Sequence, residues 1–153
     1  MKTVIIKAIL IALLLAIGCG KDKMTDPAQQ QGFPVNLTMI EMFEYSQSSL
    51  AFNLATDQIF SCFNNEIVNE VLWRGSSINI IVEGIYFPEL CLTALGPATA
   101  RIELGSLSPG EYNITISNGT HATFKLIVTE EEYRIEPVTI SNLTINNSLL
   151  IRE

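Results

Sequence analysis

Glu111-Tyr112-Asn113-Ile114-Thr115-Ile116-Ser117, then Asn118-Gly119, then Thr120-His121-Ala122-Thr123-Phe124-Lys125-Leu126-Ile127-Val128 is the stretch on which the fold turns. Successive side chains of a strand point to opposite sides, so Tyr112, Ile114 and Ile116 share one face and Phe124, Leu126 and Val128 share another. Asn-Gly between them supplies the positive φ angles of a two-residue type I′ turn, whose twist suits a β-hairpin. The same alternation runs from Val35 onward, broken by turn residues about every 8 to 12 positions, which is the pattern of an all-β sandwich or barrel.

Working outward, further strands are expected at Ile78 to Val82, Leu90 to Leu95, Ala100 to Leu104, Tyr133 to Ile135, Val138 to Ile140 and Leu143 to Ile151. Ile67 to Trp73 carries Ile67, Val71 and Trp73 and reads as a strand, with a helical turn as the alternative. Between Val35 and Phe63 the residues Met39, Ile40, Met42 and Phe43 fit helical spacing and alternation about equally, and only the β character of the rest tips that stretch towards strands.

Just before the hairpin stands Leu107-Ser108-Pro109-Gly110-Glu111-Tyr112. Pro109-Gly110 pre-sets a tight turn, and a Tyr opening the next strand resembles the tyrosine corner of immunoglobulin-like and fibronectin type III-like sandwiches. That resemblance implies a phenol hydroxyl bonded back to nearby backbone. Cys62 lies eleven residues before Trp73, similar to the first Cys and core Trp of an immunoglobulin domain. The second Cys of that family falls two residues after the Tyr, where this chain has Ile114, so the family's inter-sheet disulfide is absent. Residues 75–128 also resemble the immunoglobulin-like modules known as IPT/TIG, through Ile78-Asn79-Ile80-Ile81-Val82-Glu83-Gly84-Ile85-Tyr86-Phe87, the Pro-Gly corner and the final hairpin; these cover about a third of the chain. The fold expected is a single immunoglobulin-like antiparallel β-sandwich. Such sandwiches host adhesion, ligand binding, inhibition and plain spacing alike, so the fold alone implies no function.

The N-terminal segment speaks to location. Met1-Lys2-Thr3 with Lys7 forms a basic head, and Val4 to Ile17 is otherwise apolar, too short for a comfortable span of about 20 apolar residues and suited to a secretion signal. Ala16-Ile17-Gly18-Cys19 resembles a bacterial lipobox, although Leu is commoner than Ala at its first position. The resemblance implies that Cys19 becomes the lipidated N-terminus and that the partner nearest at hand is a membrane, with two or more acyl chains anchoring stably. The other reading is an ordinary cleaved signal with a free or disulfide-bonded Cys19. Residues 1–18 are thus expected to be a signal peptide and 19–34, with Gln29-Gln30-Gln31 and little to bury, a tether. Residues 35–153 form the domain.

The chain has 153 residues and a formal net charge of −7, and losing Lys2 and Lys7 with the signal takes it to −9. A surface that acidic repels phosphate backbones, which speaks against a nucleic-acid partner. With Cys19 lipidated, Cys62 and Cys91 are left as one pair that an exported domain would join; two buried thiols are the alternative.

Chemistry is sparse. His121 is the single histidine, and its place in the alternation puts it on a polar face, a poor position for the base of a Ser or Cys nucleophile. Gly105 and Gly110 match the glycine spacing of a phosphate loop, but Glu111-Tyr112 stands where Lys and Ser/Thr are required. Glu41, Glu44, Glu66, Glu70, Glu83, Glu89 and Glu103 offer carboxyls for a glycosidase-like pair, though no motif couples any two. Glu130-Glu131-Glu132 reads as a solvated turn. Sequons at Asn36, Asn113, Asn118, Asn142 and Asn146 read as Asn- and Thr-rich strand edges once the lipobox is accepted. No metal or cofactor is expected, and no catalytic residue.

One surface stands out, Ile85-Tyr86-Phe87-Pro88-Glu89-Leu90, where Tyr86 and Phe87 are candidates for partner binding and core burial is the alternative. The function expected is a non-enzymatic binding or structural module at the bacterial envelope, with an envelope protein or glycan as partner. A carbohydrate- or small-ligand-binding accessory domain, an exported protease inhibitor and a small glutamate-pair hydrolase are the competing readings.

Overall fold

The computed structural model describes residues 32–44 and 47–152, so the signal over 1–18, Cys19 and the tether up to residue 31 lie outside the described residues. The chain is all-β. Ten strands follow in order: β1 (Val35–Glu44), β2 (Gln47–Phe60), β3 (Glu66–Arg74), β4 (Ser77–Tyr86), β5 (Gly96–Gly105), β6 (Gly110–Ser117), β7 (His121–Val128), β8 (Glu132–Thr139), β9 (Leu143–Ile145) and β10 (Leu149–Ile151).

They form one ten-stranded sheet in the order β10-β8-β7-β6-β4-β3-β5-β2-β1-β9. The sheet has two arms, since β3 and β5 meet at the single pair Glu66 and Thr99. Expected alternation becomes burial: Ile78, Ile80, Ile114, Ile116, Phe124 and Leu126 of one arm and Leu37, Met39, Phe52 and Leu54 of the other are closed to solvent. The arms curl until Phe52 of β2 meets Phe124 of β7, with ring centroids 6.0 Å apart. Such a core is worth roughly 1.5–3 kcal/mol per large apolar side chain removed from water.

The sheet is mixed rather than wholly antiparallel. The chain leaves β4 for β5 in the other arm before returning to β6, so β4 and β6 run parallel, Ile78 beside Ile114 and Ile80 beside Ile116. Both outer edges are covered by one C-terminal stretch. β9 pairs in parallel with β1, and β10 pairs antiparallel with β8. Between them the Asn147 side-chain amide imitates a peptide group: Met39 N–H donates to its Oδ1 at 2.8 Å, and its Nδ2 donates to Met39 C=O at 3.0 Å. Covering both edges removes templates for unwanted strand pairing.

Several expectations change in detail. Leu143 to Ile151 is two short strands because Asn146-Asn147-Ser148 carries the chain from the β1 edge to the β8 edge. Tyr133 to Ile135 and Val138 to Ile140 merge into β8, whose Pro137 sits beside a bulge and beyond the reach of β10, where its missing N–H costs no ladder bond. The hairpin turn has three residues, Ser117 pairing with His121, and only Gly119 takes a positive φ, 66°. Asn118 is buried instead, its side chain donating to Phe33 C=O. Trp73 is 45% exposed near the end of β3, so the Cys62–Trp73 spacing does not mark a core tryptophan; Phe52, Phe124 and Tyr133 are the fully buried aromatics.

Leu90 to Leu95 is not a strand. Its alternating leucines imitate one, but the segment pairs in no ladder and is held by isolated hydrogen bonds and a covalent link.

Candidate functional site

Two segments carry the chain between the arms at the same end of the sheet: residues 61–65 from β2 to β3, and residues 87–95 from β4 to β5. Cys62 in the first is disulfide-bonded to Cys91 in the second, with 5.2 Å between their Cα atoms. The bond therefore ties one crossover to the other beside the single pair that joins β3 to β5. Closing this loop of 29 residues stabilises the domain by roughly 3 to 4 kcal/mol in the loop-entropy account.

Hydrogen bonds finish the junction. Asn64 Nδ2 donates to Leu90 C=O at 2.7 Å, and Leu92 N–H donates to Asn64 Oδ1 at 3.0 Å. Phe63 N–H donates to Leu92 C=O at 3.1 Å. Where β2 and β5 fall out of register, Ala98 N–H donates to the buried Thr56 hydroxyl at 3.0 Å, and Pro97 has no N–H to satisfy. The Phe87 ring stands edge-on to Phe60, centroids 5.6 Å apart, and a Cβ on Gly96 would come within 2.7 Å of the Phe63 ring. The segment is thus fixed at its backbone.

Its side chains nevertheless face water. Leu90 is 85% and Leu95 77% exposed, and Ile59, Phe63, Tyr86, Phe87 and Leu92 are each more than half exposed. Tyr86, the last residue of β4, and Phe87, the first beyond it, are both on the surface, so core burial is not their role. From Ile85 to Ala100 the only charged residue is Glu89. An apolar surface on a rigid loop is what a binding site needs, because no ordering entropy opposes contact.

The sequence singled out the stretch from Ile85 to Leu90 here, with Tyr86 and Phe87 as its contact residues, and missed Phe63, Leu92 and Leu95. The available signal was Leu90-Cys91-Leu92 set between Pro88 and Gly96-Pro97 with a single charge, read as alternation instead of as a stapled loop.

The other candidates are His121 and two grooves next to the β3–β5 pair. His121 is exposed at the start of β7, its Nδ1 3.0 Å from Ser117 Oγ. Two shallow grooves flank Thr99–Arg101, one of about 310 Å³ lined by Glu66, Ile67, Asn69 and Arg101, the other of about 290 Å³ along Asn53–Ala55. Glu66 is the one carboxylate among their linings. Among the described residues no group of three His, Cys, Asp or Glu side chains is placed to hold a metal ion, and no helix is long and apolar enough to cross a membrane.

No protein-family model matches the chain, and neither does any curated protein or solved structure.

Proposed function

We propose that this chain is a lipid-anchored protein of the bacterial envelope whose single immunoglobulin-like β-domain, displayed on a tether, serves as a non-enzymatic binding or structural module. The observation that carries the binding role is the disulfide-tied tip, a rigid loop that presents leucines and aromatics to solvent. A disulfide fits an oxidising compartment outside the cytosol, which agrees with a signal over residues 1–18. It also leaves Cys19 as the one cysteine outside the pair, available for a diacylglyceryl thioether at the lipobox-like Ala16-Ile17-Gly18-Cys19.

Two features support the immunoglobulin-like assignment. Tyr112 Oη donates to Ser108 C=O at 3.0 Å, the bond that a tyrosine corner implies, and the facing of β2 against β7 resembles two layers around one core. The open sheet with its exposed Trp73 departs from that family's pattern.

A second reading has its own support: the consecutive residues Tyr86 and Phe87 are both exposed, and exposed aromatics suit stacking on a sugar, as in a carbohydrate-binding accessory domain. A glutamate-pair hydrolase needs two facing carboxyls, and neither groove offers a pair.

The deciding experiment is the intact mass of the protein from a bacterial membrane fraction, with and without reduction and alkylation. A chain starting at Cys19 with acyl mass, and two thiols appearing only on reduction, is the expected result. An unmodified chain starting elsewhere would overturn the anchor. Titration of the domain against glycans separates the second reading from the first.

A further inference from the structure

We propose that the apolar tip is a second, non-covalent contact with the bilayer that holds the chain's own N-terminus, so that the domain stands tip-down on the membrane. This rests on the reading of Cys19 as the lipidated residue and adds what the tip touches.

Direction comes first. Gly32 lies so close to the hairpin turn that a Cβ on it would meet Asn118 O at 2.4 Å, and Val35 pairs with Thr56, so the tether joins the domain at the end that bears the tip. From that level β2 continues from Thr56 to Phe60, about four residues or roughly 13 Å of strand rise, and β4 likewise continues past Ile81, which pairs with Ser117, as far as Tyr86. The crossovers therefore project beyond the point where the tether joins. The C-terminal strand β10 runs the other way, finishing beside Glu132 at the far end.

Reach agrees. The stretch from Cys19 to Gln31 spans at most about 45 Å when fully extended, at about 3.5 Å per residue. An acylated Cys19 thus lets this end, where the tether joins, come to the lipid without stretching the chain.

Chemistry agrees as well. Ile59, Phe63, Phe87, Leu90, Leu92 and Leu95 are all exposed, and Leu90 C=O and Leu92 N–H, which would be stranded on leaving water, are already bonded to Asn64, as Leu92 C=O is to Phe63 N–H. Apolar side chains over bonded backbone groups are a combination that enters the headgroup and acyl boundary at reduced cost. The tip crossovers hold no Lys or Arg, so the contact is apolar and suits zwitterionic lipid without needing anionic headgroups.

The single Trp73, at the opposite end of β3, provides an internal control. The full chain carrying Trp73→Phe and Leu90→Trp is isolated from membranes and reconstituted in phosphatidylcholine vesicles with brominated acyl chains, with Leu95→Trp as a second probe position. The tip Trp is expected to lose at least about half its emission relative to unbrominated vesicles, and Trp73 in the unaltered chain to lose none. Unquenched emission at both 90 and 95, or equal quenching at 73 and 90, overturns the proposal. So does a tip Trp shielded from aqueous quenchers in native membranes but untouched by brominated lipid, which assigns the tip to a protein partner. Intact mass of the same preparation tests the anchor separately. If Cys19 carries no acyl group the anchor reading falls, and vesicles added to that unacylated chain still decide the tip: quenching sustains the contact, and its absence removes it.

Discussion

At one end of the sheet the chain crosses twice between the arms, and these crossovers are joined by Cys62–Cys91 and by Asn64, with leucines outermost. At the other end the β7–β8 turn closes on itself: Thr129 N–H donates to Glu132 C=O at 2.9 Å, and the Thr129 hydroxyl accepts from Glu131 and Glu132 N–H at 3.2 and 3.0 Å. There the outermost residues are Glu130 and Glu131, and Arg152 N–H donates to Glu131 C=O at 2.8 Å. A short turn loses little entropy on closing and satisfies its own backbone, so local hydroxyls suffice. Crossovers that leave one arm for the other have no ladder beside them, and they are held by a covalent bond instead.

The largest consequence follows from that difference. Replacing both tip cysteines, Cys62→Ser with Cys91→Ser, is expected to cost roughly 3 to 4 kcal/mol in urea unfolding, because the unfolded chain is no longer constrained by a closed loop of 29 residues. With one pair, Glu66 and Thr99, joining β3 to β5, the arms are expected to part there first. Hydrogen exchange should rise at Thr99 N–H, which donates to Asn65 C=O at 3.2 Å, while the Thr129 turn keeps its protection. Equal loss of protection at both ends would show that the ends are not independent.

Next in size is Asn64→Ala, expected to cost about 1–2 kcal/mol, since Leu90 C=O and Leu92 N–H each lose their partner. The effect is local: exchange at Leu92 N–H should accelerate with the disulfide intact, which distinguishes the clamp from the staple.

How much of this was legible follows the same division. Alternation in Ile78 to Val82 and in the hairpin at Glu111 to Val128 translates directly into buried faces, because each strand must turn its apolar side to the core. The bond from Tyr112 back to nearby backbone was legible too, since its hydroxyl reaches Ser108 C=O within the same turn. What stayed hidden depends on pairing over long separations. The sequence holds no sign that β9 takes the β1 edge while β10 takes the β8 edge, or that Asn147 stands in for a peptide group. At the candidate site the disulfide partners and Tyr86 with Phe87 were legible from composition. Phe63, Leu92 and Leu95 were not, because Leu92 carries with Leu90 the periodicity of a strand that a bond at Cys91 overrides.

The far end gives a smaller response. Tyr112→Phe removes one hydrogen bond at a partly exposed corner and is expected to cost about 0.5–1.5 kcal/mol in the same unfolding assay, leaving exchange at the tip unchanged. A cost as large as that of the disulfide pair would mean that the corner organises the whole sheet.

Smallest of all is the expected effect of Leu90→Ser and Leu95→Ser on stability, within about 0.5 kcal/mol, because side chains 85% and 77% exposed bury almost nothing. That near-zero value sharpens the contrast most. Leucines in water contribute little to folding and raise the risk of association, and the far-end turn shows that this chain closes a loop with Thr and Glu where nothing apolar is needed. If the serine variants unfold at the same urea concentration as the unaltered chain yet lose contact with bilayers, the leucines serve binding alone. If instead they lower stability by as much as Asn64→Ala, the leucines belong to the core of the tip and the comparison between the two ends loses its functional half.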